Sequence, residues 1–401
     1  MLKKIIKIPR TILADIFVSI ILLFTKKFFF LIGRMNSKSK ISHLVSYSEP
    51  MLRKYKDKNY LIIIIDPGNR SINSFLWKKY SEIAILIGFK KKIIRFIYDL
   101  IFFLLLKETK YDLKLKDFYE VDYQYLFNDY SPVVKFSNEE DDLGTNALNK
   151  MKLQKTNFIC FGIREATYYS KTKADDKDSG INTFHRNPDP KNYIKFIDYF
   201  CNKSISIVRA GISAQHNYKN QPGYFDYCNS NYRNDFLDFY LQANSKFVVA
   251  GACGLHLISA ALNKPSVETD TYMLWGGRQK FDLFIPRLII NNKTKKILSF
   301  KEMMDLGQKY LYEENCIKDD VSFIPNTPEE ILDVCIEMNN RLDGTWIDKD
   351  DDLERQLKFK KLFPPKPSSF MKAEQFFYKK NVKPAGNIGS SFLKKYQYLL
   401  K

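Results

Sequence analysis

The sequence predicts an α/β protein with two Rossmann-like domains, preceded by an apolar, basic helix that associates with a membrane. Three observations predict it. Short apolar runs such as Tyr60–Ile65 and Phe158–Ile163 are apolar on both faces, as in parallel strands covered by helices. Helical patterns follow these runs in alternation, in two blocks. The runs end in glycine- or charge-rich turns, where the loops of an α/β sheet bind ligands. At 401 residues and 45% apolar content the chain has room for two such domains, each with a core.

The expected division is a membrane-associating helix over 1–34, an N-terminal α/β domain over 35–150, a C-terminal α/β domain over 151–344 and a tail over 345–401 that packs back on the body. Residues 1–34 (MLKKIIKIPRTILADIFVSIILLFTKKFFFLIGR) read as one helix, with Thr11, Asp15, Ser19 and Lys26 on a narrow polar stripe. The uncharged run between Asp15 and Lys26 is shorter than the roughly twenty apolar residues a span needs. An interfacial helix, with Lys3, Lys4, Lys7 and Arg10 toward lipid phosphates, is the leading reading. A spanning anchor and a core-packing helix are its competitors. Residues 35–58 are polar and read as a linker. Tyr60–Ile65 is a strand ending at Asp66-Pro67-Gly68-Asn69-Arg70. Lys90–Leu106 is read as a core helix of the first domain, with a second membrane-facing helix as the alternative.

The second domain begins near Asn157. Strands are expected at Phe158–Ile163, Ser204–Arg209, Lys246–Ala250 and Pro265–Glu268. Helices are expected over Tyr193–Phe200, Asp235–Ala243 and Leu257–Leu262, then near Phe300–Tyr310 and Pro328–Met338. The tail carries PPKP at 364–367 and ends in a short helix.

The net charge of +19 points to an anionic partner: nucleic acid, lipid head groups or a phosphorylated substrate. No nucleic-acid-binding motif with interleaved aromatics is present, so nucleic acid is not expected. The six cysteines form no CxxC pair and no zinc-ligand spacing with the four histidines. They are expected to be reduced, and neither metal nor cofactor is expected.

Candidate site residues gather at strand ends. Arg164 and Glu165 follow Phe158–Ile163, and the same loop returns with His185, Arg186 and Asp189. Arg209 closes the next strand. Gly251-Ala252-Cys253-Gly254 joins a strand to a helix, a turn whose N–H groups can cradle phosphate. The competing readings are a solvated loop for the first and tight strand–helix packing for the second. Arg278 lies in a Trp275–Arg278 loop able to cover the crevice. Two arginines and a helix start can hold a diphosphate without a metal. The acids Asp66, Glu165 and Asp189, with His185 and His256, are candidate proton acceptors.

The runs FICFGIREATYY, HRNPDPKNYIKFIDYF, VRAG, NDFLDFYLQANSKFVVAGACGLHLISAALNKPSVET and FDLFIPRL resemble a family of bacterial glycosyltransferases found with surface-polysaccharide genes. The resemblance covers roughly residues 155–300, with an echo in IGSSFLKKYQYLL. More remotely, the family is similar to fucosyltransferase-like enzymes of the GT-B type. It implies transfer from a nucleotide-diphosphate sugar to a lipid-linked or polysaccharide acceptor, at the cytoplasmic face of the inner membrane. It also implies diphosphate contacts from Arg164 and from the turn Gly251–Leu255, where Ala252-Cys253 replace the family's hydroxyl residues. The chosen sites are His185, Asp189 and Glu165 for catalysis, with Arg164, Arg186, Arg209, Gly251–Gly254 and Arg278 for the donor. A non-catalytic sugar- or lipid-binding protein of envelope assembly is the alternative.

Overall fold

A computed structural model describes residues 7–34, 41–66, 73–88, 92–115, 125–165, 185–212, 214–272, 274, 276–307, 309–363 and 383–401. The expected turn at 67–70, the body of the loop after Glu165, Trp275 and the PPKP run lie outside them. The chain divides into Met1–Lys135 and Phe136–Lys401, fifteen residues ahead of the expected boundary at 150. The reason is helix Asn138–Lys150, which belongs to the second unit. Its Gly144 lies so close to the Tyr240 ring that a Cβ there would sit 2.2 Å from Cε1. Tyr240 Oη also donates to Asp141, at 2.7 Å.

The first unit holds α1 (Lys7–Leu23), β1 (Phe29–Arg34), α2 (Ile41–Tyr55), β2 (Tyr60–Asp66), α3 (Ser74–Ser81), β3 (Ile85–Gly88), α4 (Lys92–Ile101) and the short α5 (Leu126–Asp129). Its sheet is parallel, in the order β1-β2-β3. Central β2 buries Ile62, Ile64 and Ile65, as its two-sided apolar run requires.

Three expectations fail in this unit. Residues 1–34 are not one helix: α1 stops at Leu23 and Phe29–Arg34 is a strand, paired with β2 from Phe29↔Tyr60 to Arg34↔Ile65. The run Phe30-Leu31-Ile32 is buried by that pairing. Nor is 35–58 a polar linker, since it contains α2, in which Glu49 and Arg53 are buried as a pair. Arg53 Nε meets Glu49 Oε1 at 2.7 Å with both side chains out of solvent, and Arg53 also donates to the carbonyls of Phe127 and Tyr130. Finally, the 90–106 segment is not a core helix. It forms α4 and a π-helical turn, Phe102–Leu106, in which Phe102 and Leu106 are buried while Phe96, Ile97, Leu100 and Leu104 are exposed.

The second unit holds α6 (Asn138–Lys150), β4 (Phe158–Ile163), α7 (Ile194–Asn202), β5 (Ser206–Arg209), β6 (Tyr224–Phe225), α8 (Asp235–Asn244), β7 (Val248–Gly251), α9 (Leu255–Ala261), β8 (Ser266–Thr271) and β9 (Leu283–Pro286). It continues with β10 (Leu288–Asn291), α10 (Phe300–Leu306), α11 (Glu313–Asp319), β11 (Val321–Ile324), α12 (Pro328–Leu342), α13 (Asp350–Lys361), β12 (Asn387–Ile388) and α14 (Ser390–Lys395). Seven strands form one sheet in the order β12-β9-β8-β7-β4-β5-β6, and every neighbouring pair is parallel. Successive side chains alternate between two cores. Ile159, Phe161, Ile207 and Val249 pack with α7 and α12, whereas Phe158, Cys160, Val208 and Val248 pack with α6 and α8. The sheet is therefore covered on both faces, which is why its strands read as continuous apolar runs.

β10 pairs with β11 in a separate antiparallel ribbon. The tail adds β12 to the sheet edge and fixes α14 through Glu337, which accepts from Ser390 N at 2.7 Å. Along the chain the strands step outward from β4 through β5 to β6, then restart at β7 and step the other way. The gap between β4 and β7 is thus where the strand order reverses, the place where open α/β sheets hold ligands at their carboxyl ends.

Candidate functional site

The site is assembled from that reversal. Ile163, the last residue of β4, lies opposite Gly251, the last residue of β7, and Arg164 N donates to Gly251 O at 2.8 Å. The arginine and the glycine bend are therefore adjacent. Glycine is required on both strands. A Cβ on Gly162 would sit 2.8 Å from Ala210 O and 3.0 Å from Leu255 Cδ2, and one on Gly251 would sit 2.3 Å from Tyr193 Oη. Ala252 then adopts a left-handed conformation, with φ of 49°. Ala252 to His256 are half-buried, and Gly254 caps α9 with no side-chain bond.

Cys253 Sγ donates to Gly162 O at 3.2 Å. Burial pushes its thiol up to about 12, so it remains protonated and unreactive. His256 Nδ1 meets Cys253 O at 2.7 Å. A carbonyl can only accept, so Nδ1 carries a proton, and in the neutral ring the lone pair is on Nε2.

Arg164 is nearly buried, and its Nη1 donates to Asn187 Oδ1 at 2.8 Å. Asn187 is held in turn by Arg287, whose Nη2 donates to its carbonyl at 2.9 Å and whose Nη1 donates to the carbonyl of His185 at 2.6 Å. Arg287 Nε meets Asp270 Oδ1 at 3.0 Å, with both side chains buried. Asp270 also accepts from Tyr193 Oη and Asn326 N. One buried ion pair thus pins the returning segment 185–187 against the strand ends. Arg186 lies over the Tyr272 ring at 3.8 Å, just beyond β8. Asn187, Asp270 and Arg287 were not among the residues expected from sequence. For Asp270 and Arg287 the one signal is charge within the strand runs SVETDT and FIPRLII, where burial requires pairing; Asn187 carries none.

Several expected site residues have other duties. Glu165 pairs with Arg209 and accepts from Gln215 N at 2.5 Å. Arg209 also donates to His216 O and lies over the Tyr218 ring, so it is a buried structural cation rather than a donor-binding one. Asp189 caps the 3-10 turn Pro190–Tyr193, its Oδ1 accepting from Lys191 N at 2.9 Å. His185 Nε2 donates to Tyr310 O, and its ring stacks on Phe323. Its Nδ1 is buried without a partner, and burial pushes its pKa below the usual histidine value. Arg278 lies at the wrong end of the sheet. Its backbone N donates to Asp282, which also accepts from Ser266 N at the amino end of β8, whereas Arg164 stands at a carboxyl end.

An open hollow of about 680 Å³ lies elsewhere in this unit, lined by Lys295, Lys296, Lys301, Glu302, Asp305 and Tyr398, and includes none of these residues. Among the described residues no cluster of His, Cys, Asp or Glu is arranged to hold a metal ion.

No family model matches the sequence and no curated protein matches it. Among solved structures, the chain is similar to the crystal structure of the glycosyl transferase family 9 from Veillonella parvula DSM 2008. That likeness has a TM-score of 0.42 at 11% identity, over 73% of this chain and 96% of that chain. It is too remote to assign a residue or a reaction, and the reading of the site rests on its own geometry.

Proposed function

We propose that this chain is a glycosyltransferase. It would take a nucleotide-diphosphate sugar at the β4/β7 reversal and transfer the sugar to a lipid-linked or polysaccharide acceptor of the bacterial cell surface. The observation that supports this best is the meeting of Arg164 with the Gly251–Gly254 turn at the point where the strand order reverses. There the guanidinium and the N–H groups of Cys253 and Gly254, which follow an Ala252 N–H held by Thr269 O, can face one anion from two directions. The sequence resemblance over 155–300 points the same way.

In the inverting, metal-independent reaction proposed, Arg164 neutralises charge growing on the departing diphosphate. His185 and Glu165 have their acceptors buried or committed and Asp189 caps a 3-10 turn through Oδ1, so we assign the acceptor hydroxyl's proton to Nε2 of His256, at the turn itself. The protein would work at the cytoplasmic face of the inner membrane.

Thermal shift and donor hydrolysis across a panel of nucleotide sugars test the reading. A stabilising sugar nucleotide that is slowly hydrolysed supports it, provided that Arg164→Ala loses both effects. Wild-type turnover in Arg164→Ala removes the assignment. The commitment of three expected bases to structure favours one other reading, a non-catalytic sugar- or lipid-binding protein of envelope assembly. Donor binding without turnover, unaffected by His256→Ala, would select it.

A further inference from the structure

The first unit leaves an apolar surface open to solvent, built from two segments. On α1, Ile16, Ile20 and Leu23 are each half or more exposed, on the side away from buried Ala14 and Val18. Apart from a narrow polar stripe (Thr11, Asp15, Ser19) the helix is apolar, yet protein covers only one of its apolar sides, so the other calls for a second non-aqueous neighbour. The segment at 92–106 repeats the pattern. Phe96, Leu100 and Leu104 are exposed, whereas Phe102 and Leu106 join the cluster that contains Ala14 and Val18.

The two segments are tied together. Arg10 on α1 donates to the carbonyls of Phe103 and Lys107, at 3.3 and 2.5 Å. Arg34 Nε meets Asp99 Oδ1 at 2.6 Å and holds α4 to the end of β1. Scattered apolar side chains on a surface are ordinary, but a joined pair of apolar helix faces is not.

The charge at the margin identifies the occupant. Lys26 and Lys27 are exposed directly after Leu23 and Phe24, and Lys107 Nζ lies over the Phe103 ring at 5.2 Å. Lysines at the rim of an apolar face match lipid phosphates at the boundary of a bilayer. No helix among the described residues is long and apolar enough to cross a membrane.

We propose that α1 and the 92–106 segment form one docking face for an anionic lipid bilayer, lying in its interface without crossing it. The second segment, including its π-helical turn, is as much a part of the contact as the first. This inference does not rest on the donor-site reading.

Flotation of the full-length protein tests it, using vesicles of phosphatidylcholine alone or mixed with phosphatidylglycerol. The wild type floats with the mixed vesicles. The Phe96→Ser/Leu104→Ser double variant, in which α1 is intact, loses at least about tenfold in partitioning. Lys26→Gln/Lys27→Gln lowers the preference for anionic vesicles by about tenfold or more. All these side chains are exposed, so both variants keep the wild-type circular dichroism. Arg164→Ala floats like the wild type, which separates this proposal from the catalytic one. The proposal is overturned if the wild type ignores both vesicle types, or if Phe96→Ser/Leu104→Ser floats unchanged. It is also overturned if the wild type is a dimer in solution that the double variant splits into monomers, since the face is then an interface between copies.

Discussion

Neighbouring strands β4 and β5 each deliver an arginine at the carboxyl end, Arg164 just past β4 and Arg209 as the last residue of β5. Arg209 meets a carboxylate, Glu165, and a carbonyl, and is covered by the Tyr218 ring. Arg164 instead donates to the neutral amide of Asn187, beside a half-buried glycine turn at the strand-order reversal. A strand-end arginine is therefore not a ligand contact by virtue of its place. The partner helps decide: the buried carboxylate of Glu165 turns Arg209 into structure, whereas Arg164 reaches the side-chain amide of Asn187 beside the turn at the strand-order reversal.

The largest expected effect breaks the structural member of the pair. Arg209→Ala strands Glu165 in a nearly dry site and should cost about 3–5 kcal/mol, read as a lower midpoint in urea denaturation. Replacing both partners, as Arg209→Met with Glu165→Gln, should recover much of that loss. If Arg209→Ala is as stable as the wild type, the contrast between the arginines is lost.

Another buried acid sharpens the same comparison, because backbone N–H groups rather than a guanidinium hold it. Asp282 accepts from the N–H groups of Ser266, Arg278 and Gln279. Burial, with the charge of Glu268 nearby, pushes it up to about 7 from the ordinary 3.8. The folded state then holds this proton more tightly than the unfolded chain. The Asp282 contribution to stability is full below pH 3.8 and falls as pH rises to about 7, by on the order of 4 kcal/mol. Denaturation midpoints measured across that window should decline less steeply in Asp282→Asn. An unchanged slope would mean that Asp282 is ionised in the fold at the same pH as in the unfolded chain.

The smallest effect lies at the amide. Asn187→Ala removes one hydrogen bond from Arg164, a loss of about 1 kcal/mol. Donor turnover should fall by about tenfold, with the melting temperature little changed. A complete loss of activity would mean that Asn187 touches substrate itself.

Much of the second unit was legible in the sequence because a parallel sheet covered on both faces leaves a simple trace. β4, β5 and β7 each appear as an apolar run bounded by turns, and Arg164 and Gly251 follow from where those runs stop. The first unit was harder to read. α2 hides its core role behind polar letters that are buried as the Glu49–Arg53 pair, and β1 hides inside an apolar stretch that continues α1. Apolar content cannot tell a strand from a helix in so short a run. Within the site, the identity of charged residues was visible but their partners were not. Nothing in the spacing of Glu165 and Arg209, or of Asp270 and Arg287, announces that the fold will join them across strands.

The central claim is that Arg164 and the Gly251–Gly254 turn hold one diphosphate. The direct measurement is the affinity and turnover of the best sugar nucleotide in wild type, Arg164→Ala and Arg164→Lys, with melting temperatures recorded alongside. The account predicts that Arg164→Ala retains the wild-type fold and loses about 100- to 1,000-fold in turnover, with Arg164→Lys recovering a part. A folded Arg164→Ala protein that binds and turns over the sugar nucleotide like the wild type would contradict it.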